Sequence, residues 1–319
     1  MKRNKIIIIA IAFMLIALGL ALYPLIAETI NKELSKSTIV QYNNQVESLS
    51  EESKQLLLNG AERYNNNLSN IVSDSFSPDA FKVSKEYTEI LNVTDDGLIG
   101  SVTIPKIDCS LPIYHGSSEK ELDRGAIHMA NTSFPIGGKN THAVISAHTA
   151  YPGKEFFNRL TELEKNDIFE IRVLGDTLYY KVSDIYTVLP NESEKLKIVT
   201  GEDLCTLVTC TPYSVNTHRL LVRGKRIYPA EMSTEEKETL ETKSYDYTIW
   251  IILIVCIIII IIILSIFHYH RKKNIMMKRM LKKLKKSTPK QIKSGGSGAS
   301  TARSILLYPY SNGDQNEEE

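Results

Sequence analysis

Cys205-Thr206-Leu207-Val208-Thr209-Cys210 is a run of apolar and β-branched residues, and Thr211-Pro212 stops it, because proline has no N–H to give to a sheet ladder. After the loop of residues 211–218 a second β-type run begins near Arg219, in His218-Arg219-Leu220-Leu221-Val222-Arg223-Gly224. If the two pair antiparallel, Cys210 and Arg219 face each other at one end of the sheet. Similar short runs recur outward from here, at Ile99–Ile104, Ala143–Ala147, Ile168–Val173, Leu178–Val182, Leu204–Thr209 and Leu220–Ile227. Turn signals such as Gly137-Gly138, Pro152-Gly153 and Leu174-Gly175-Asp176 separate them. Strands at this density predict a mainly β fold, a closed or nearly closed barrel with short helices, over residues 98–230.

Two long apolar runs flank this region. Ile6 to Ala27 carries no charge, and residues 248–267 carry none either, so each is long enough to cross a hydrocarbon core about 30 Å thick as a helix. Lys2, Arg3 and Lys5 precede the first, and Arg271, Lys272 and Lys273 follow the second, which predicts two spans with both termini cytoplasmic. Tyr247 and Trp250 sit at the outer edge of the second run, where amphipathic rings favour the interface. The first run has the basic start of a secretory signal, but its apolar core exceeds the usual ~7–15 residues and no Ala-x-Ala follows, so it reads as an uncleaved anchor.

The resulting plan is a stub at 1–5, a span at 6–27, an extracytoplasmic preface at 28–97, the barrel at 98–230, a linker at 231–247, a span at 248–267 and a tail at 268–319. The apolar spacing of Leu57, Ala61, Tyr64, Leu68 and Ile71 predicts an amphipathic helix in the preface. The tail is basic, then Gly/Ser-rich at 294–298, then acidic at Glu317 to Glu319.

The net charge of +1 hides an uneven distribution: +3 for residues 1–5, 23 − 33 = −10 for residues 28–247 and 12 − 4 = +8 for residues 268–319. A nucleic-acid surface needs clustered positive charge, so the acidic middle segment argues against that role. With 16 Gly and 11 Pro the chain is neither collagenous nor low-complexity, and four Cys are too few for a disulfide scaffold. Cys205 and Cys210 lie five positions apart in one extended run and cannot bridge, whereas Cys109 with Cys205 stays open as a pair or as two buried thiols.

Cys210 differs from the other thiols in ending a strand beside a loop, where a rigid element holds a side chain that still reaches solvent. A thiol near pKa 8.5 is only ~3% thiolate at pH 7, so nucleophilic chemistry needs a cationic neighbour. Arg219 can hydrogen-bond a developing oxyanion but cannot release a proton, and a His is required to protonate a leaving amine. Of the candidates 115, 128, 142, 148 and 218, His148 alone closes a strand-like run, Thr141 to His148, directly before a loop, Thr149-Ala150-Tyr151-Pro152-Gly153. His142 falls mid-run or at the opposite end, and His115 follows Leu111-Pro112-Ile113-Tyr114 into a turn.

Thr206 to Cys210, with Arg219 nine residues on and His148 upstream, resembles the active-site pattern of sortases. Leu111 to Gly116, Gly125 to His128, Thr132-Ser133-Phe134-Pro135, Gly137-Gly138 and the Asn140 to His148 run are similar too, in order over about residues 98–228. Within the family, class C pilin-polymerising enzymes have an N-terminal lid and a second membrane helix. The lid carries an Asp-Pro-aromatic triplet, and this chain has Asp74-Ser75-Phe76, with Ser in place of Pro.

The resemblance implies a sortase-type barrel in which Cys210 attacks the carbonyl between Thr and Gly of an LPXTG-like sorting signal. It makes His148 the proton donor, Arg219 the oxyanion donor, and Asp74 and Phe76 the lid, with no metal or organic cofactor. It also implies pilin precursors as substrates, a pilin Lys as the acceptor and the lipid membrane as the place of action. A housekeeping sortase with a cell-wall acceptor, a hydrolytic thiol peptidase and a non-catalytic ectodomain are the competing readings.

Overall fold

The computed structural model describes residues 2–68, 76, 81–241 and 248–287. Eight strands form: β1 (Leu98–Ile104), β2 (Cys109–His115), β3 (Ala126–His128), β4 (Thr141–Ser146), β5 (Ile168–Val173), β6 (Asp176–Val188), β7 (Asp203–Thr211) and β8 (His218–Ile227). They close into a barrel in the order β1-β2-β3-β4-β7-β8-β6-β5, with β1 and β5 pairing to complete the ring. Two pairs, β2 with β3 and β4 with β7, are parallel, and the others are antiparallel.

All six sequence-predicted strands are present. β2 and β3 were not expected, and His115 ends β2 instead of entering a turn. Pro112 lies within β2 and pairs with Ser101 in the β1 ladder.

Burial patterns follow position. β5 alternates inward and outward as a strand with one wet face does. In β7 every residue from Leu204 to Cys210 is buried, because its outer face is covered by a second cluster of Met129, Val144, Leu196, Val208 and Leu221. The interior holds Ile99, Val102, Ile113, Phe169, Ile171, Leu207 and Val222, each worth about 1.5–3 kcal/mol when fully buried. Gly224 lets β8 pass the Phe169 ring, since a Cβ there would lie 2.6 Å from Phe169 Cε1.

The preface is helical and starts without a break from the first apolar run. A single helix, α1 (Lys2–Ser48), contains the first apolar run and continues through the start of the preface. Its C-terminal part docks on the barrel through Tyr42, whose hydroxyl donates to Ile99 O at 2.7 Å and accepts from Leu174 N at 3.3 Å. Ser50 caps α2 (Glu51–Asn66) by accepting from Ser53 N, with Glu51 and Glu52 in its first turn. The predicted stripe holds for Leu57, Ala61 and Tyr64, but Leu68 lies beyond the helix end and Ile71 outside the described residues.

Asn65 fastens α2 to the barrel, accepting from Phe134 N at 2.7 Å and donating to Phe134 O at 3.2 Å. After α3 (Lys85–Glu89) and the strands just described, α4 (Glu119–Leu122) and α5 (Thr234–Glu241) are short. The second apolar run lies in α6 (Thr248–Ser287), which extends past the predicted end of the span at 267. Both α1 and α6 contain stretches long and apolar enough to cross a membrane.

Candidate active site

β7 and β8 pair antiparallel with Cys210 opposite Arg219, as the sequence predicts. Directly opposed residues point to the same face of a sheet with Cβ atoms about 4.5–5.5 Å apart. On the other side of β8, Arg219 is paired with Val188 of β6. Cys210 is 8% exposed and Arg219 9%, so both are held by rigid strands at the edge of solvent. Arg219 Nη1 donates to Asn216 O and to His218 O, each at 3.1 Å, which fixes the guanidinium over the β7–β8 loop.

His148 arrives from the other side of β7. The β4–β7 ladder ends at Ser146 opposite Val208, and counting two residues along each chain brings His148 level with Cys210. Two bonds keep the chains together past the ladder: Ala147 N donates to Val208 O at 3.1 Å, and Thr209 Oγ1 donates to Ala147 O at 2.8 Å. His148 lies two residues beyond the strand, in the loop, where Phe157 N donates to its carbonyl at 3.0 Å.

Phe76 joins these groups. Its ring centroid is 5.0 Å from Arg219 Cζ and 5.7 Å from the His148 ring. Asp74, its expected companion, lies outside the described residues. Tyr151 covers another side of the imidazole at 5.0 Å, and His148 Nε2 is 3.5 Å from Asp123 Oδ1. Burial lowers the His148 pKa below the ordinary imidazole value, while the charge of Asp123 opposes that shift without cancelling it.

The remaining candidates are placed apart. His142 is fully buried in β4, with its ring between Thr206 Oγ1 at 2.7 Å and Lys197 O at 2.8 Å, and burial lowers its pKa to about 4. His128 stacks on Phe134 and contacts the Tyr87 hydroxyl at 3.0 Å, and burial takes it to about 3. His115 packs edge-on against Tyr87, and His218 lies beside Thr217 at the start of β8. Cys109 and Cys205 are not bridged: both are free thiols in the barrel core, one at the start of β2 and the other in β7, and Cys109 Sγ donates to Phe156 O at 3.3 Å. Burial pushes the Cys109 thiol up to about 12 and Cys205 well above its ordinary value, so neither thiolate is accessible near neutral pH.

Asp123 and Tyr151 were not singled out in the sequence. Tyr151 could have been, standing three residues after His148 in the loop, whereas nothing in the spacing ties Asp123 to that histidine.

Residues 102–227 match the sortase domain family. Among solved structures, the chain is similar to the pilus-related sortase C of Group B Streptococcus, at 40% identity and a TM-score of 0.56, covering 59% of this chain and 96% of that one. Sortase C of Streptococcus pneumoniae is 41% identical with a TM-score of 0.57, covering 60% and 97%. Sortase A of Streptococcus agalactiae serotype III is 29% identical over 153 residues, 47% of this chain and 61% of the relative, so the chain spans under two thirds of that protein's length. As the chain covers nearly the whole of two solved sortases C at about 40% identity, it belongs to the sortase family.

Proposed function

We propose that the protein is a membrane-anchored cysteine transpeptidase that joins pilin subunits. The observation that carries this is the strand register at one rim: Cys210 opposite Arg219 on one side, with His148 brought level on the other. The thiolate of Cys210 attacks the carbonyl carbon between Thr and Gly of an LPXTG-like sorting signal. The developing oxyanion takes hydrogen bonds from Arg219, a contribution of the kind worth about 2.7–4 kcal/mol in acyl transfer. As the C–N bond breaks, the imidazolium of His148 gives its proton to the departing amine.

The resulting thioester is then attacked by a neutral amine, which in this reading is a Lys side chain of another pilin subunit. An amide forms, the Cys210 thiolate leaves, and the proton lost by the attacking nitrogen returns to His148. Sulfur, imidazole and guanidinium supply nucleophile, acid and oxyanion donor.

Its solved neighbours include a pilus-related sortase C, which supports pilins over cell-wall precursors as the partners. The two long apolar helices support anchoring in the membrane, with the barrel outside and both termini inside as the basic flanks indicate. An enzyme held on the same surface as its precursor substrates meets them at raised effective concentration.

The test is to incubate the full chain in detergent with a sorting-signal peptide and to read the mass of the peptide bearing Cys210. A thioester adduct of the Thr-terminated fragment is expected, with transfer to an added lysine-bearing pilin fragment. No adduct on Cys210, or full turnover by Cys210→Ala, overturns the reading.

A further inference from the structure

The apolar part of α1 ends at Ala27, and the next turns of the helix touch the barrel. Asn31 Nδ2 donates to Gly153 O at 2.8 Å, in the loop that follows His148. Lys32 Nζ lies 3.5 Å from Glu155 Oε2 in the same loop and 3.5 Å from Asp108 Oδ2 between β1 and β2. Tyr42 stands 42 − 27 = 15 residues past Ala27, about 22 Å further along the axis, and it holds Ile99 and Leu174.

These contacts fix the direction of every strand. β1 begins beside Tyr42 and ends near Asp108 beside Lys32, so it runs toward the apolar end of α1. The pairings then make β2 and β3 run away from that end, β4 and β7 toward it and β8 away from it. The ends of β4 and β7 and the start of β8 therefore share the rim nearest the apolar run. Those ends carry His148, Cys210 and Arg219.

The chain's exit agrees. β8 finishes at the far end, and the following segment returns, with Glu236 of α5 2.6 Å from Lys181 and α5 packed on the turn at Pro105–Ile107, near Asp108. By α5 it has come back to the near end. Exposed apolar side chains also stand on that rim, Tyr213 and Val215 at 63% and Leu189 at 46%. Tyr228 is 57% exposed at the far end, so apolar exposure alone does not choose between the ends; strand direction does.

We propose that α1 is a rigid spacer that docks on the His148 loop and turns the Cys210 rim toward the lipid surface, selecting substrates whose scissile bond lies close to the bilayer. Asn31 is one helical turn past Ala27, about 6 Å along the axis, so the loop it holds sits at the edge of the headgroup region. This rests on residues 6–27 spanning the membrane and on the transpeptidase reading above.

The orientation is tested with the full chain in phosphatidylcholine–phosphatidylglycerol vesicles containing an energy-acceptor lipid. A fluorescent amino acid replaces Val215 in the near loop or Asp176 in the far turn. Energy transfer from position 215 is expected to be at least threefold that from position 176. Equal or reversed transfer in vesicle-bound protein overturns the orientation and leaves transpeptidation untouched; failure to float with the vesicles removes the span, and the proposal with it.

Substrate selection is tested separately, with sorting-signal peptides tethered to the same vesicles. One carries a five-residue flexible spacer and the other a helical spacer of about 30 residues, roughly 45 Å long at ~1.5 Å per residue. The long spacer is expected to lower kcat/KM about tenfold against the short one, with both peptides turned over equally in detergent. Equal rates on vesicles overturn the selection. A Val215 preference without any thioester on Cys210 would refute the transpeptidase reading while the orientation stood.

Discussion

Phe76 lies with its ring 5.0 Å from the guanidinium carbon of Arg219, in cation–π contact above the same rim that carries Cys210. Such a contact is worth about 0.5–2 kcal/mol, and the ring also packs against both apolar clusters of the barrel. Removing it should therefore open the rim. Phe76→Ala is expected to raise the rate at which Cys210 reacts with a small thiol reagent by roughly 2–30-fold, the Boltzmann equivalent of that energy. An unchanged labelling rate, followed by mass spectrometry, would remove Phe76 as a gate.

Arg219→Lys keeps the charge but loses the planar fork that can bond an oxyanion and two carbonyls at once. With Asn216 O and His218 O already accepting from Nη1, a point charge cannot reproduce the geometry. A fall in kcat of about 10²–10³ is expected, with little change in Tm. Wild-type turnover by this variant would show that the oxyanion is held elsewhere.

Asp123 raises the His148 pKa against the lowering caused by burial. In the mechanism above the imidazole must be protonated to release the amine, so activity is lost as pH rises through its pKa. Asp123→Asn lowers that pKa further, and the alkaline limb of the pH–rate profile should move to lower pH. A limb that stays in place would detach Asp123 from the proton donor.

His128 and His142 are held neutral in the core, at about 3 and about 4 against an ordinary 6.5. The unfolded chain takes up protons on both histidines below pH 6.5 while the fold resists, so their stabilising effect is complete above 6.5. It is lost as pH falls toward 4 and then 3. Each contributes about 1.4 kcal/mol of lost stability per pH unit in that window. Tm should fall steeply between pH 6 and pH 4, and a protein whose Tm is flat over that range would contradict the burial of both rings.

Much of this was legible from β-type runs and their stops. Cys210 and Arg219 are written into adjacent strands, and a strand register follows from the pairing of Thr206–Cys210 with Arg219–Arg223. His148 was legible only as a residue at a run's end, because β4 and β7 are parallel and distant in sequence, and no local period encodes which strands meet. β2 and β3 escaped for physical reasons: Pro112 reads as a breaker, and three residues of β3 are too few to show alternation. The continuity of α1 was hidden by its change of environment. Its apolar run reads as one element and the polar stretch after it as another, although no helix stop separates Ala27 from Glu28. Asp123 was invisible because only the folded loops bring it beside His148.

The three candidate groups ride on neighbouring staves of the barrel: β4 leads into His148, β7 ends at Cys210 and β8 starts at Arg219. His148 sits in the loop after β4 and Arg219 is tied to the β7–β8 loop through Asn216 O, whereas the β6–β7 connection, residues 189–202, carries none of the three. Shortening or lengthening the β6–β7 connection is thus a change the wall absorbs at its edge, with sulfur, imidazole and guanidinium left on their own staves.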